Sequence, residues 1–129
     1  MSDTTPERFR PTIARIDLGA LRHNYRLLRR RLPDGCALLV PVKADAYGHG
    51  LLPVGRVLES EGADWLGVAI IEEGLELRRG GVGMRILVLG GLADGSEALA
   101  VQSDLTPVVY RSASVRALNA IAARSGRRV

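Results

Sequence analysis

Lysine is nearly missing from these 129 residues: there is one, Lys43, and the remaining 17 basic side chains are arginine. Cysteine is also single, so Cys36 forms no disulfide within the chain, which fits a reducing setting. Aromatics number five, and no RNA-binding or zinc-finger spacing accompanies them. The net charge of +4 therefore does not read as a nucleic-acid surface, because the arginines are spread along the chain with short runs only at Arg29 to Arg31 and Arg127 to Arg128. Apolar runs stop at about six or seven residues, too short to span a bilayer. The opening MSDTTPERFRP has no apolar core and is not a signal peptide, so a cytoplasmic protein is expected, with residues 1–11 disordered.

What is present is a rhythm. With 47% apolar and 25% charged residues, the chain has the composition of a globular protein. Thr12 to Asp17 reads as a strand. Leu18, Leu21, Tyr25, Leu28 and Leu32 then form one stripe at steps of three and four, a helix that Asp17 caps and Pro33-Asp34-Gly35 ends. Ala37 to Val42 is a nearly continuous apolar run, expected as a strand buried on both faces and ending at Lys43. The loop Ala44 to Gly50 leads into a helix over Leu51 to Glu61, with Pro53 in its first turn. Further strands are expected at Trp65 to Ala69, Arg85 to Leu89 and Leu105 to Tyr110. Helices are expected between them and again over Ser112 to Arg124, where Gly126 stops the last one. The helix after Trp65 to Ala69 has Glu72, Glu73 and Glu76 early and Arg78 and Arg79 late, matching its dipole. Strands alternating with single helices give right-handed crossovers and a parallel α/β sheet. The organisation expected is residues 12–35 as an N-terminal strand and helix, and residues 36–129 as about four β/α units.

The arginine bias singles out Lys43. Arginine stays protonated, whereas a lysine amine can be made neutral by burial and can then attack a carbonyl to give a Schiff base. Against this stands the simple reading of a lysine snorkelling out at a strand end. In parallel β/α folds the chemistry gathers where the strands' carboxyl ends meet the following loops, and Lys43 is at such an end. Val40, Pro41 and Val42 are expected to keep its surroundings dry. Two readings are open for Tyr47: loop packing, or a phenol offered to a phosphate. Asp45 either orients the lysine or caps the next helix. His49 is read as a loop hydrogen-bonding residue, and no metal site is expected around it.

The stretch VKADAYGHG, Val42 to Gly50, closely resembles the pyridoxal 5'-phosphate signature of alanine racemases. The resemblance extends over ARIDLGALRHNYRLLR, DWLGVAIIEEGLELRRGGVGMRILVLGG and DLTPVVY, nearly the whole chain from about Ile13 onward. It implies a partial (β/α)8 TIM-type barrel, truncated before the remaining barrel strands and a C-terminal β domain, with the strand at Thr12 to Asp17 belonging to that second domain. It implies pyridoxal 5'-phosphate as cofactor, Lys43 as both its Schiff-base attachment and a catalytic base, and Tyr47 as a contact to the cofactor phosphate. The implied reaction interconverts L-alanine and D-alanine, which supplies D-alanine for peptidoglycan. The parent enzyme would be a homodimer whose partner subunit supplies the second base, a tyrosine from the absent domain. This chain by itself is expected to be inactive. The alternatives are a pyridoxal-phosphate-binding barrel module without racemase activity, or a racemase of another small amino acid such as serine. Gly74 stands where the family usually has alanine, a departure that bears on helix stability.

Overall fold

The computed structural model describes residues 12–129, so the expected disorder of residues 1–11 lies outside the described residues. The first element, α1 (Leu18–Arg29), begins where Asp17, in an extended conformation, accepts a hydrogen bond from Ala20 N at 3.0 Å. Its stripe faces the rest of the chain only in part: Tyr25 is buried, Leu18 and Leu21 pack against the core, and Leu28 is exposed. Thr12 to Asp17 is not a strand. These residues are exposed and pair with nothing among the described residues, and a strand without a neighbour has no ladder to hold it.

Four parallel strands follow in the order β1-β2-β3-β4: β1 (Leu39–Pro41), β2 (Trp65–Val68), β3 (Arg85–Val88) and β4 (Thr106–Pro107). Helices α2 (Lys43–Gly48) and α3 (Leu51–Ser60) lie between β1 and β2, α4 (Ile71–Arg79) between β2 and β3, α5 (Glu97–Gln102) between β3 and β4, and α6 (Ser112–Ser125) after β4. Sequential strand order with right-handed crossovers places the helices on one side of the sheet, which makes this a partial (β/α)8 barrel. The burial alternation agrees. Leu66, Val68, Ile86 and Val88 are fully buried on the helix side against Leu58 and Leu77. The opposite, inner face has Leu39, Gly67, Leu87 and Leu89, and a Cβ at Gly67 would lie 2.9 Å from a Leu39 methyl and 3.2 Å from a Leu89 methyl. Glycine there lets the two leucines approach across the sheet.

Both outer strands are shorter than their apolar runs. Ala37 to Val42 shrinks to three paired residues, and Leu39 and Val40 are half-buried with Pro41 exposed. An edge strand has one neighbour, and its inner face has no second layer over it, so a run buried on both faces does not arise. Leu105 to Tyr110 shrinks to Thr106–Pro107 at the opposite edge, where β3 is the one neighbour and Pro107, which has no N–H, turns its nitrogen to the open side. Val108 N still reaches Val88 O at 3.0 Å, and Tyr110 donates its hydroxyl to Leu89 O at 2.7 Å.

Side chains tie the loops at the amino ends of the strands. Arg78 donates to four carbonyls, those of Val82, Met84, Ser103 and Asp104, at 2.7 to 3.0 Å, and so joins the turns before β3 and β4. Its own burial lowers its pKa, with Asp104 opposing the shift. Arg22 and Arg26 of α1 reach Glu61 at 3.2 and 2.5 Å, and Arg29 reaches Asp64 at 3.3 Å, so ion pairs hold α1 against the end of α3. Gly74 has a packing role: a Cβ there would sit 3.0 Å from both Leu105 methyls, so the glycine lets α4 seat closely on that buried leucine. Among the described residues no helix is long and apolar enough to cross a membrane.

Candidate functional site

The strands' carboxyl ends and the loops after them carry the residues singled out in the sequence. Lys43 is the first residue after the last ladder bond of β1, Val42 N to Gly67 O at 2.7 Å. By alternation with Leu39 and Pro41 it belongs to the inner face of the sheet. It is exposed. The dry surroundings expected from its apolar neighbours are not found, because Val42 turns to the helix side and is buried there while Pro41 is exposed.

Residues 44–47, expected as a loop, form a single left-handed helical turn: Ala44 (φ 52, ψ 55), Asp45 (φ 55, ψ 44), Ala46 (φ 52, ψ 47) and Tyr47 (φ 56, ψ 36). None is glycine. Left-handed backbone costs an L-residue about 1–2 kcal/mol, so the four together store about 4–8 kcal/mol. Such strain persists only where its surroundings over-determine it. Here Ala46 is buried in the core, and its N–H donates to Val42 O at 2.8 Å. Asp45 accepts from Leu51 N at 2.6 Å with its carboxylate, and its carbonyl accepts from Gly50 N at 2.9 Å. Of the two roles open to Asp45, the structure gives it the cap of α3. His49 lies with Nδ1 2.9 Å from Ala46 O and 3.1 Å from Tyr47 O, the loop role read for it.

Glu73 reaches this turn from the next β/α unit. Ala44 N donates to its Oε1 at 2.7 Å, while Ala69 N at 2.7 Å and Ile70 N at 3.4 Å donate to its Oε2. The sequence reading assigned Glu73 only to the α4 dipole. The available signal was its place three residues after Ile70, the arrangement by which a glutamate folds back on the amide that precedes its helix.

Tyr47 is exposed and is one of the residues lining a cleft of about 420 Å³. Arg15, Asp17, Asn24, Val40 and Pro41 are among its other lining residues. The turn thus presents an amine and a phenol, four residues apart, at the carboxyl end of a parallel strand. An amine of this kind can form a covalent bond to a carbonyl compound, and a phenol can donate to an anionic oxygen.

The family described as "Alanine racemase, N-terminal domain" matches residues 16–129. Among curated relatives, the alanine racemase of Geobacter sulfurreducens is 45% identical over 119 residues, which is 92% of this chain and 31% of that protein. That of Xanthomonas oryzae pv. oryzae (strain MAFF 311018) is 50% identical over 112 residues, 86% of this chain and 30% of that protein. Among solved structures, alanine racemase from Clostridium difficile 630 in complex with cycloserine superposes with a TM-score of 0.85 at 36% identity, covering 93% of this chain and 33% of that one. Alanine racemase from a D-cycloserine-producing Streptomyces lavendulae superposes with a TM-score of 0.78 at 40% identity, covering 87% of this chain and 29% of that one. The chain spans about a third or less of the length of each of these proteins. A family match over residues 16–129, joined to identities of 36 to 50% and to superpositions covering 87 to 93% of the chain, leads to one conclusion: the chain belongs to the alanine racemase N-terminal domain family.

Proposed function

We propose that this chain is the lysine-bearing part of a pyridoxal 5'-phosphate-dependent enzyme that interconverts L-alanine and D-alanine, supplying D-alanine for peptidoglycan in the cytoplasm as a homodimer. The observation that carries the reading is Lys43, the sole side-chain amine, exposed at the carboxyl end of β1 and followed by a strained left-handed turn. The residues fit the cofactor: Lys43 offers its amine for the covalent link, and the exposed Tyr47 offers a hydroxyl to its phosphate. When bound, the cofactor supplies an electron sink for the charge left on the amino acid's α-carbon.

Lys43 Nζ then has two tasks. It would hold the cofactor until the substrate's amine takes its place, and, once free, it would carry the proton to and from one face of the α-carbon. Arginine can do neither, because its guanidinium stays protonated. Racemisation needs a proton carrier on the other face as well, and no residue of this chain is assigned to it. Tyr47 contributes one hydrogen bond, worth about 1.5–3 kcal/mol to a charged acceptor. Micromolar retention of a cofactor requires about 8 kcal/mol. Outside the reversible link to Lys43 the 129 residues therefore grip the cofactor weakly, and without a proton carrier on the second face they are not expected to turn over alanine.

The test has two parts on the purified chain. Pyridoxal phosphate is added, the mixture is reduced with borohydride, and the adduct is mapped by mass spectrometry. The adduct is expected at Lys43 and is expected to vanish in Lys43→Arg. Modification confined to the α-amino group would overturn the assignment. Conversion of L-alanine to D-alanine is then assayed with added cofactor, and no rate above the free cofactor is expected. Turnover abolished by Lys43→Arg would refute the inactivity of the chain and support the reaction.

A further inference from the structure

The parallel ladder between β1 and β2 stops one rung short, and a side chain completes it. Pro41 pairs with Gly67, and Val42 N donates to Gly67 O. The same alternation continued would send Ala69 N to Val42 O and Ala44 N to Ala69 O. Neither bond forms. Val42 O accepts from Ala46 N inside the left-handed turn, and Ala69 O accepts from Gly90 N at 2.9 Å. The two amides left over both go to one carboxylate: Ala44 N to Glu73 Oε1 and Ala69 N to Glu73 Oε2, each at 2.7 Å.

We infer that Glu73 is a positioning residue for Lys43, a splint that replaces the missing rung and fixes the peptide by which Lys43 leaves the strand. The functional part of this inference rests on the reading of Lys43 as the cofactor's attachment point. Two features make a carboxylate the required group. Both of its oxygens are used, one on each side of the gap, and both accept. A glutamine offers one acceptor, and its amide N–H2 would face a backbone donor. Aspartate is one methylene shorter and does not span the two amides. The splint also acts where it matters for the amine, because Ala44 opens the left-handed turn and directly follows Lys43.

The composition provides the probe. Since Lys43 is the only lysine, [15N]-lysine labelling gives one backbone amide signal, that of Lys43 itself. With [15N]-alanine as a second label, the Ala44 amide of the wild-type chain is expected to exchange with solvent at least tenfold more slowly than an unstructured amide, although Ala44 is exposed. In Glu73→Gln that protection is expected to fall at least tenfold and the Lys43 signal to move or split. The borohydride-trapped adduct at Lys43, counted against the α-amino group of the same chain, is expected to drop at least threefold. Glu72→Gln removes the same charge from an exposed neighbouring position and is expected to change none of these. An unprotected Ala44 amide in the wild type overturns the inference, and this measurement decides the matter if Glu73→Gln fails to fold. A Glu73→Gln chain that melts earlier with its Lys43 signal and adduct ratio unmoved also overturns it, since that is a structural role alone. Absence of any Lys43 adduct in the wild type sinks the attachment reading and leaves the splint to be judged by the two amide signals.

Discussion

Replacing alanine by glycine on an exposed helical turn ordinarily destabilises a protein, yet at Ala44 the expected sign is reversed. Ala44 is exposed, sits at φ 52 and ψ 55, and makes its one cross-unit contact through its backbone N–H, which glycine keeps. Ala44→Gly removes the left-handed penalty, about 1–2 kcal/mol, and adds about 0.4–1 kcal/mol of unfolded-state entropy. The net is a gain of about 0.8 kcal/mol from the midpoints of those ranges. With a urea m-value of about 1.5 kcal/mol per molar, the unfolding midpoint rises by about 0.5 M. Ala44→Val tests the same geometry from the other side, because a β-branched residue is a genuine outlier at positive φ, and a loss of at least about 1 kcal/mol is expected. Urea unfolding can be followed by the fluorescence of Trp65, the sole tryptophan, which lies half-buried beneath the Arg85 guanidinium at 4.6 Å. A lower midpoint for Ala44→Gly, or equal effects of glycine and valine, would refute the left-handed turn as the source of strain.

Two further outcomes follow from α1. Tyr25 has a buried hydroxyl with no hydrogen-bond partner among the described residues, and burial, partly offset by Arg29, raises its pKa. Tyr25→Phe is therefore expected to raise stability by about 1 kcal/mol in the same urea experiment, and a loss of that size would mean that the hydroxyl is satisfied in solution. The hydrogen bond from Arg26, more than that from Arg22, holds the Glu61 carboxyl below its ordinary value of 4.5 against the effect of burial. A lowered carboxyl stabilises the fold above its unfolded pKa, and that stabilisation is lost as the pH falls through the folded value. Stability is expected to decline below about pH 4.5, and Glu61→Gln is expected to flatten that decline while lowering stability at neutral pH; an unchanged pH slope in the variant would exclude Glu61 as its source.

The sequence made the repeating β/α order legible because its signals are local. Asp17 caps, Pro53 in a first turn and Gly126 in a left-handed C-cap each act within a few residues, and all three stand where they were read. The extent of the strands was not legible, since pairing depends on neighbours. Thr12 to Asp17 has strand composition and no partner among the described residues, and Leu105 to Tyr110 lies at an edge with β3 as its one neighbour. At the site, VKADAYGHG drew attention to Lys43 and Tyr47, and spacing left Asp45 with two roles that geometry reduced to capping. The left-handed turn was hidden because Ala-Asp-Ala-Tyr contains no glycine to announce positive φ. Glu73 was hidden for a different reason: an acid in a first helical turn is adequately explained by the dipole, and its bond to Ala44 crosses 29 residues.

The sequential order of the sheet also bears on how the chain acquires its structure. Leu39 meets Trp65, Trp65 meets Arg85 and Leu87 meets Thr106, so the pairings close loops of 26, 20 and 19 residues. Lengthening a loop of that size costs little in closure entropy, and none of the pairings spans the whole chain. A chain emerging from the ribosome can complete each pairing soon after its second strand appears, without waiting for a distant segment. The pairings can then form in the order in which the strands emerge, and β1, which leads to Lys43, can meet β2 before β3 has left the ribosome.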